Sequence, residues 1–311
     1  MAAGLELGVA IVGYGKIARD QHEAAIAATP SLRLAAVVDP IARHASLPNY
    51  PTMADMLAAQ PEIAAVALCQ PPRYRAEAVR QALDAGLHVF CEKPPGLDPA
   101  QVDRWGDVSR AKGLTLFTAW HSREAAAVGA ARDWLARTPA RRIVIAWKED
   151  VRRWHSGQAW IWAEDGFGVF DPGLNALSIL TALVPEPIAV RKATLDRPAN
   201  CAAPIAARLA MESASGIAIS ADFDFLQTGP QTWDIAIEAD AGRLLLSDGG
   251  NTLAIDGEPQ VCGPEREYPR LYARFVELIG QGACEVDARP LQLVCDATSI
   301  AQVSVVKPFY D

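Results

Sequence analysis

Through the first 120 residues, continuous apolar runs alternate with segments whose apolar positions recur every three or four residues. The runs at 7–12, 32–38, 64–68, 88–91 and 114–117 predict strands, and 16–28, 52–59, 73–85 and 98–112 predict the helices between them. The runs are built of Val, Ile, Leu and Ala without polar alternation, the pattern of strands covered on both faces. Short links between strand and helix imply right-handed crossovers and a parallel sheet. Residues 1–122 are therefore expected to form a doubly wound, Rossmann-type dinucleotide-binding domain.

After a helix over 124–135 the pattern changes. A strand at 142–148 and a helix at 173–183 precede β-like runs at 188–195, 205–211, 216–225, 233–238, 243–246 and 252–255. Asp248-Gly249-Gly250-Asn251 and Asp256-Gly257 read as hairpin turns between them. Helices at 271–279 and 291–303 close the chain. Residues 123–311 are thus expected to be an α+β domain with a large, mostly antiparallel open sheet, for substrate binding and oligomerisation. Its C-terminal helix is free to pack back on the first domain.

Composition narrows the partners. The 311 residues carry a formal net charge of −8 with no stripe of Lys and Arg, which argues against nucleic acid or an anionic membrane surface. The N-terminus lacks a basic region before its first apolar run, so no secretory signal is expected and the protein is placed in the cytoplasm. The apolar run at 63–69 is far short of the ~18 residues a membrane span needs. Cys69, Cys91, Cys201, Cys262, Cys284 and Cys295 form no CxxC pair and have no His at metal spacing, so reduced thiols and no metal are expected.

Gly13-Tyr14-Gly15-Lys16-Ile17-Ala18 fits GxGxxA between a predicted strand and a predicted helix. The first glycine allows a tight turn, the second lets a pyrophosphate approach the backbone, and the helix N-terminus supplies N–H donors. Asp39 ends the second strand, 26 residues after Gly13. A carboxylate there accepts from the ribose hydroxyls of NAD and repels a 2′-phosphate, so NAD is expected to be preferred and NADP tolerated through Arg43 or His44. A turn residue before Pro40 is the other reading of Asp39. Cys69-Gln70-Pro71-Pro72 follows another strand, where the loops face the ligand crevice, or makes a plain strand-to-helix turn. Cys91-Glu92-Lys93-Pro94-Pro95 leaves the fifth strand at the same edge; read alone it is a surface turn, but at that edge a lysine can polarise a substrate hydroxyl.

GxGxxA, then Glu92-Lys93-Pro94 at a strand end, then an antiparallel sheet domain, resembles the glucose–fructose oxidoreductase/inositol dehydrogenase (Gfo/Idh/MocA) family from end to end. The segments GYGKIARDQH, EKPPG, WHSR, WKEDVRRWH, FDPGLNALSI and EREYP are similar to its bacterial D-galactose/L-arabinose 1-dehydrogenase branch. The resemblance implies an NAD(P)-dependent enzyme that oxidises the anomeric carbon of a free aldose to a lactone. It also implies a homodimer paired through the free face of the second sheet. Oxidation of a secondary hydroxyl of another sugar or a cyclitol, and a non-catalytic nucleotide-binding regulator, are the alternatives.

The wider family carries a catalytic His in DxGxHxxD. Here Asp171 and Gly173 match, Asn175 stands at the His position and Ser178 at the last Asp. Asn cannot act as a general base near neutral pH, so the base must be sought elsewhere; the resemblance favours Asp171, with Lys93 acidifying the hydroxyl. Asp171-Pro172 before a helix also reads as an N-cap. Asn175, four residues on, shares the face of Asp171 and suits a sugar hydroxyl. Lys148–His155 is densely polar: Glu149, Trp154 and His155 read as sugar ligands under the resemblance, or as a solvated loop without it. His121, after the sixth strand, reads as a site residue or a structural His.

Overall fold

The computed structural model describes residues 6–60 and 62–310. Contacts divide the chain into two compact units. The first runs to His121 and takes back Tyr268–Ala288; the second holds Ser122–Glu267 and the chain from Arg289.

In the first unit, β1 (Leu7–Val12), β2 (Leu32–Val38), β3 (Asn49–Tyr50), β4 (Ile63–Leu68), β5 (His88–Glu92) and β6 (Leu116–Ala119) form one parallel sheet in the order β3-β2-β1-β4-β5-β6. Val9, Ala10, Ile11, Ala65, Val66, Ala67 and Phe90 are wholly buried, as the unbroken apolar runs require. The helices are α1 (Glu23–Ala27), α2 (Met53–Ala59), α3 (Arg75–Asp84) and α4 (Pro99–Ala111). The helix opened by the glycine turn contains a π-helical segment, Ala18–His22, just before α1.

A division into two continuous segments leaves out the return of α8 (Glu267–Gln281). Leu271, Tyr272, Phe275 and Leu278 line one face of this helix and are buried with Phe90 and Phe117 in a single core. The Tyr272 ring stacks on Phe90 at 4.5 Å, and Phe275 meets Phe90 edge-on at 5.6 Å. Each such side chain contributes roughly 1.5–3 kcal/mol of burial.

The second unit is built on β7 (Ala140–Lys148), β8 (Ile188–Pro198), β9 (Ala206–Ser213), β10 (Ala218–Asp224), β11 (Thr232–Ala239), β12 (Gly242–Ser247), β13 (Thr252–Ile255), β14 (Glu258–Pro259) and β15 (Gln302–Val306). They order as β14-β13-β12-β11-β7-β10-β9-β8-β15, antiparallel except for β7–β10 and β8–β15. Asp256-Gly257 turns from β13 to β14 with both residues at positive φ (51° and 85°), the hairpin signature. β9 alternates inward Leu209 and Met211 with outward Arg208, Ala210 and Glu212. The remaining helices here are α5 (Val128–Leu135), α6 (Val151–Trp154), α7 (Phe170–Leu183) and α9 (Arg289–Ile300). α7 is buried on nearly every side, with Phe170 edge-on to Phe223 of β10.

Two expected elements differ. The helix predicted to reach 303 stops at Ile300, and Val303 and Val305 alternate with Gln302 and Ser304 in β15, which pairs with β8. Pairing at the free edge of β8 decides a run whose period is too short to specify helix or strand. The helix predicted from 173 begins at Phe170, so Asp171 lies inside its first turn and the N-cap position is Val169. Pro172 is accommodated because first-turn amides have no intrahelical acceptor. No helix among the described residues is long and apolar enough to cross a membrane.

Candidate active site

The cofactor half of the site belongs to the first unit. Gly13 leaves β1 with φ +88°, and its N–H donates to Val38 O (2.8 Å), tying the turn to the end of β2. A Cβ at Gly13 would lie 2.5 Å from the Gln70 amide nitrogen, so the turn and the loop after β4 close on each other only through glycine. Gly15 differs. Among the described residues, no atom beyond its immediate chain neighbours lies within 4 Å of where its Cβ would be. The chain's own packing leaves that position open, which is the cradle a pyrophosphate needs at a helix N-terminus. Lys16 and Ile17 form the first helical turn. The Lys16 amine is exposed and paired with Asp20, so what it offers a phosphate is its backbone amide.

Asp39 is pinned from three sides. Its Oδ2 accepts from Tyr14 N (2.8 Å), and its Oδ1 from Ile41 N (2.8 Å) and Ala42 N (2.7 Å). Burial works against its charge, but these amides and the nearby Arg43 hold the carboxyl below its ordinary range. Arg43 Nη1 donates to the carbonyls of Asp39 (2.6 Å) and Ala42 (3.0 Å). His44 Nδ1 accepts from Ser46 N and Leu47 N, both at 3.1 Å, within its own loop. Asp39 thus makes the turn, and the same hydrogen bonds fix the direction of its carboxylate.

After β4, Cys69 N donates to Val12 O (2.7 Å), and the thiol is buried, which pushes its pKa up. Gln70 Oε1 is buried with no hydrogen-bond partner, an unspent acceptor between the glycine turn and Pro71. Arg75, which sequence reasoning missed, is 4% exposed. It donates through Nε to Gln70 O (3.0 Å) and through Nη1 to the carbonyls of Glu92 and Pro94, clamping two loops together. An Arg early in an amphipathic helix gives no sequence signal of such a role. These residues fit a dinucleotide: an open cradle, an oriented carboxylate and an unpaired amide oxygen.

Glu92 closes β5 and is buried. Its Oε2 accepts from Lys93 N (2.8 Å), while its Oε1 faces His22 Nε2 (3.1 Å) and the Tyr268 hydroxyl (2.8 Å). Burial opposes its ionisation, yet the His22 hydrogen bond and the charges of His22, His121 and Arg75 bring it down to about 2. Lys93 is half-buried and joined to Pro94 by a cis peptide bond. His121 follows β6 and stacks on Tyr268 at 5.6 Å and 18°.

The second unit assembles a different cluster. β7 ends at Lys148, and Glu149 N donates to Asp224 O (2.8 Å). The Glu149 side chain turns inward: Oε1 faces His155 Nε2 (3.1 Å), and Oε2 accepts from Trp233 Nε1 (2.9 Å). Asp150 caps the single turn of α6, accepting from Arg152 N (3.0 Å), and that turn swings His155 back over Glu149. His155 Nδ1 faces Gln158 Oε1 at 3.5 Å and lies 4.0 Å from Asp171 Oδ2. Asp171, 5% exposed, is in the first turn of α7, and half-buried Asn175 is one turn on. Glu149, His155 and Asp171 are thus brought together. Trp154 lies outside this chain: its ring packs edge-on against Trp233 at 5.3 Å, and its N–H faces Gln231 Oε1 (3.3 Å). Trp233 was read only as a strand residue; the register that sets it opposite Trp147 on β7 is what delivers it to Glu149.

A parallel sheet with an open glycine cradle, a strand-end carboxylate and a clamped Lys turn, followed by a unit carrying a Glu–His–Asp cluster with buried carboxylates, defines a nucleotide-dependent oxidoreductase, and the chain belongs to the Gfo/Idh/MocA family. Residues 7–120 match that family's model, the oxidoreductase family with an NAD-binding Rossmann fold. The chain is 42% identical over 301 residues to galactose 1-dehydrogenase of Pseudomonas fluorescens, covering 97% of this chain and 98% of the relative. A crystal structure of D-galactose-1-dehydrogenase from Rhizobium etli superposes with a TM-score of 0.94 at 45% identity, covering 100% of this chain and 99% of the other. D-glucoside 3-dehydrogenase of Escherichia coli K12 is 32% identical over 157 residues, 47% of this chain and 44% of its own length.

Proposed function

We propose that the chain is a galactose 1-dehydrogenase: it oxidises the anomeric carbon of D-galactose to the lactone and accepts L-arabinose, which lacks only the C5 hydroxymethyl. The observation that carries this is the end-to-end likeness to galactose 1-dehydrogenases, whose matched length includes both the Lys93 turn and the Asp171 helix. The bound nicotinamide supplies the hydride acceptor. Lys93 orients the C1 hydroxyl and lowers its pKa, and Asp171 receives its proton. Asn175 and His155 bind sugar hydroxyls. Glu149 already serves His155 and Trp233, so its contribution is to fix the imidazole.

NAD is the preferred cofactor in this reading. Asp39 is charged and aimed, and Arg43 would have to leave two carbonyls to reach a 2′-phosphate. The chain pairs as a homodimer through the outer face of its large sheet, where Val144, Ala210 and Leu245 are exposed. NADH formation measured over a panel of aldoses, with NAD and NADP in parallel, tests the reading. The expected result is highest kcat/KM for D-galactose with NAD. Turnover confined to glycosides with a blocked C1 would overturn it.

A further inference from the structure

Behind the Lys93 turn lies a buried polar network that the roles above leave unused. His22 is wholly buried at the end of the π-helical segment Ala18–His22, on the helix that the glycine turn opens. π-helical turns are rare and frequently lie at functional sites; here the imidazole faces the core between Phe90, Tyr268 and Tyr272, with ring centroids at 5.5, 5.1 and 5.7 Å. Its Nε2 lies 3.1 Å from Glu92 Oε1 and its Nδ1 2.7 Å from the Tyr272 hydroxyl. The Tyr268 hydroxyl donates to the same Glu92 oxygen, and the other oxygen accepts from Lys93 N. Arg75 holds the carbonyls on either side of Lys93, those of Glu92 and Pro94.

Stability does not explain this arrangement. Burying a carboxylate and an imidazole costs several kcal/mol of desolvation, and apolar side chains of the same volume fill such a site as well or better. What the network provides is a single position. Glu92 is fixed by two donors on one oxygen, so the other oxygen can fix one backbone amide. That amide belongs to Lys93.

We propose that His22 and Tyr268 are positioning residues for Lys93, acting through Glu92: they hold the carboxylate, the carboxylate holds the Lys93 amide, and the backbone so held sets the direction in which the amine leaves the turn. The proposal rests on the role given to Lys93 under the proposed function. It also links the helix at the glycine turn to the lysine, because His22 sits on the first and Glu92 beside the second.

The test compares Tyr268→Phe, His22→Leu and His22→Gln with wild type and Lys93→Ala. Four quantities are measured: kcat, the KM for sugar, the KM for NAD, and the NMR signal of Lys93 after reductive 13C-methylation, Lys93 being one of six lysines. Loss of one hydrogen bond to a charged group corresponds to about tenfold. Tyr268→Phe should lower kcat by about that factor, with the KM for NAD within about twofold. His22→Leu should lower kcat further, and His22→Gln, whose amide can replace the Nε2 donor, should recover most of the loss. An unchanged kcat in Tyr268→Phe, or a loss matched by an equal rise in the KM for NAD, overturns the proposal. If Lys93→Ala keeps wild-type kcat, the assigned reaction chemistry fails instead. The 13C signal then decides by itself: Tyr268→Phe must shift the Lys93 resonance, and an unmoved resonance ends the proposal.

Discussion

Each unit contains one buried glutamate held in nearly the same way. Glu92 faces His22 Nε2 at 3.1 Å and an aromatic hydroxyl, Tyr268, at 2.8 Å; Glu149 faces His155 Nε2 at 3.1 Å and an aromatic N–H, Trp233, at 2.9 Å. The two differ in that both donors meet one oxygen of Glu92 but separate oxygens of Glu149, and in what surrounds the far nitrogen of the imidazole. His22 is sealed, and its Nδ1 turns inward to Tyr272. The His155 side chain is 14% exposed, and its Nδ1 lies 4.0 Å from Asp171. A Glu–His pair completed by an aromatic donor therefore occurs in two settings. Closed off by the core, the pair holds a backbone amide; in the second unit it lies open beside a carboxylate, the arrangement proposed above to bind sugar.

The largest expected effect breaks or keeps the division of labour between the units. Lys93→Ala and Asp171→Asn should each lower kcat by about 10²–10⁴-fold, the range of general acid–base contributions, with the fold intact by circular dichroism. If Asp171→Asn keeps most of its turnover, the carboxylate only begins a helix and the second unit's chemistry lies elsewhere.

Glu92 comes next, through pH. Its folded value of about 2 lies below the ordinary 4.5, so its stabilising contribution is complete above pH 4.5 and is lost as pH falls toward 2. The depression corresponds to a few kcal/mol at neutral pH. Glu92→Gln should therefore lose most Tm against wild type near neutrality, and the gap should narrow below pH 4.5. A gap independent of pH would mean that the carboxylate is not charged in the folded chain.

How far these sites were legible depended on distance along the chain. Glu149 and His155 are six residues apart, in a segment whose polar density stands out, so both were named from sequence. His22 and Glu92 are 70 residues apart, and a single His on an amphipathic helix carries no signal until β5 and α8 close around it. The same rule covers Arg75, Trp233 and the return of α8 to the first unit. The parallel sheet and the glycine turn were readable because their pattern is contiguous. The start of α7 was missed by three residues because a proline reads as a boundary when it is in fact inside the first turn.

A smaller effect should separate sugar from cofactor. Glu149→Gln frees His155 from its anchor and should raise the KM for galactose about tenfold, roughly one hydrogen bond, with the KM for NAD unchanged. Parallel rises in both constants would dissolve the contrast between the units. Asp39→Ser should do the converse. Removing the pinned carboxylate should move the NADP/NAD ratio of kcat/KM by about five- to thirtyfold, since a charge in a partly wet site contributes only about 1–2 kcal/mol, and the KM for galactose should not change. An unaltered ratio would make Asp39 a turn residue alone.

The proposed oxidation is at C1, whereas D-glucoside 3-dehydrogenase, similar over 47% of this chain, is named for chemistry at C3. The most direct measurement is 13C NMR of [1-13C]galactose turned over with the wild-type protein and NAD. The labelled anomeric signals should be replaced by a lactone carbonyl, followed by the carboxylate of its hydrolysis product. Anomeric signals that persist while NADH accumulates and an unlabelled ketone appears would contradict the account.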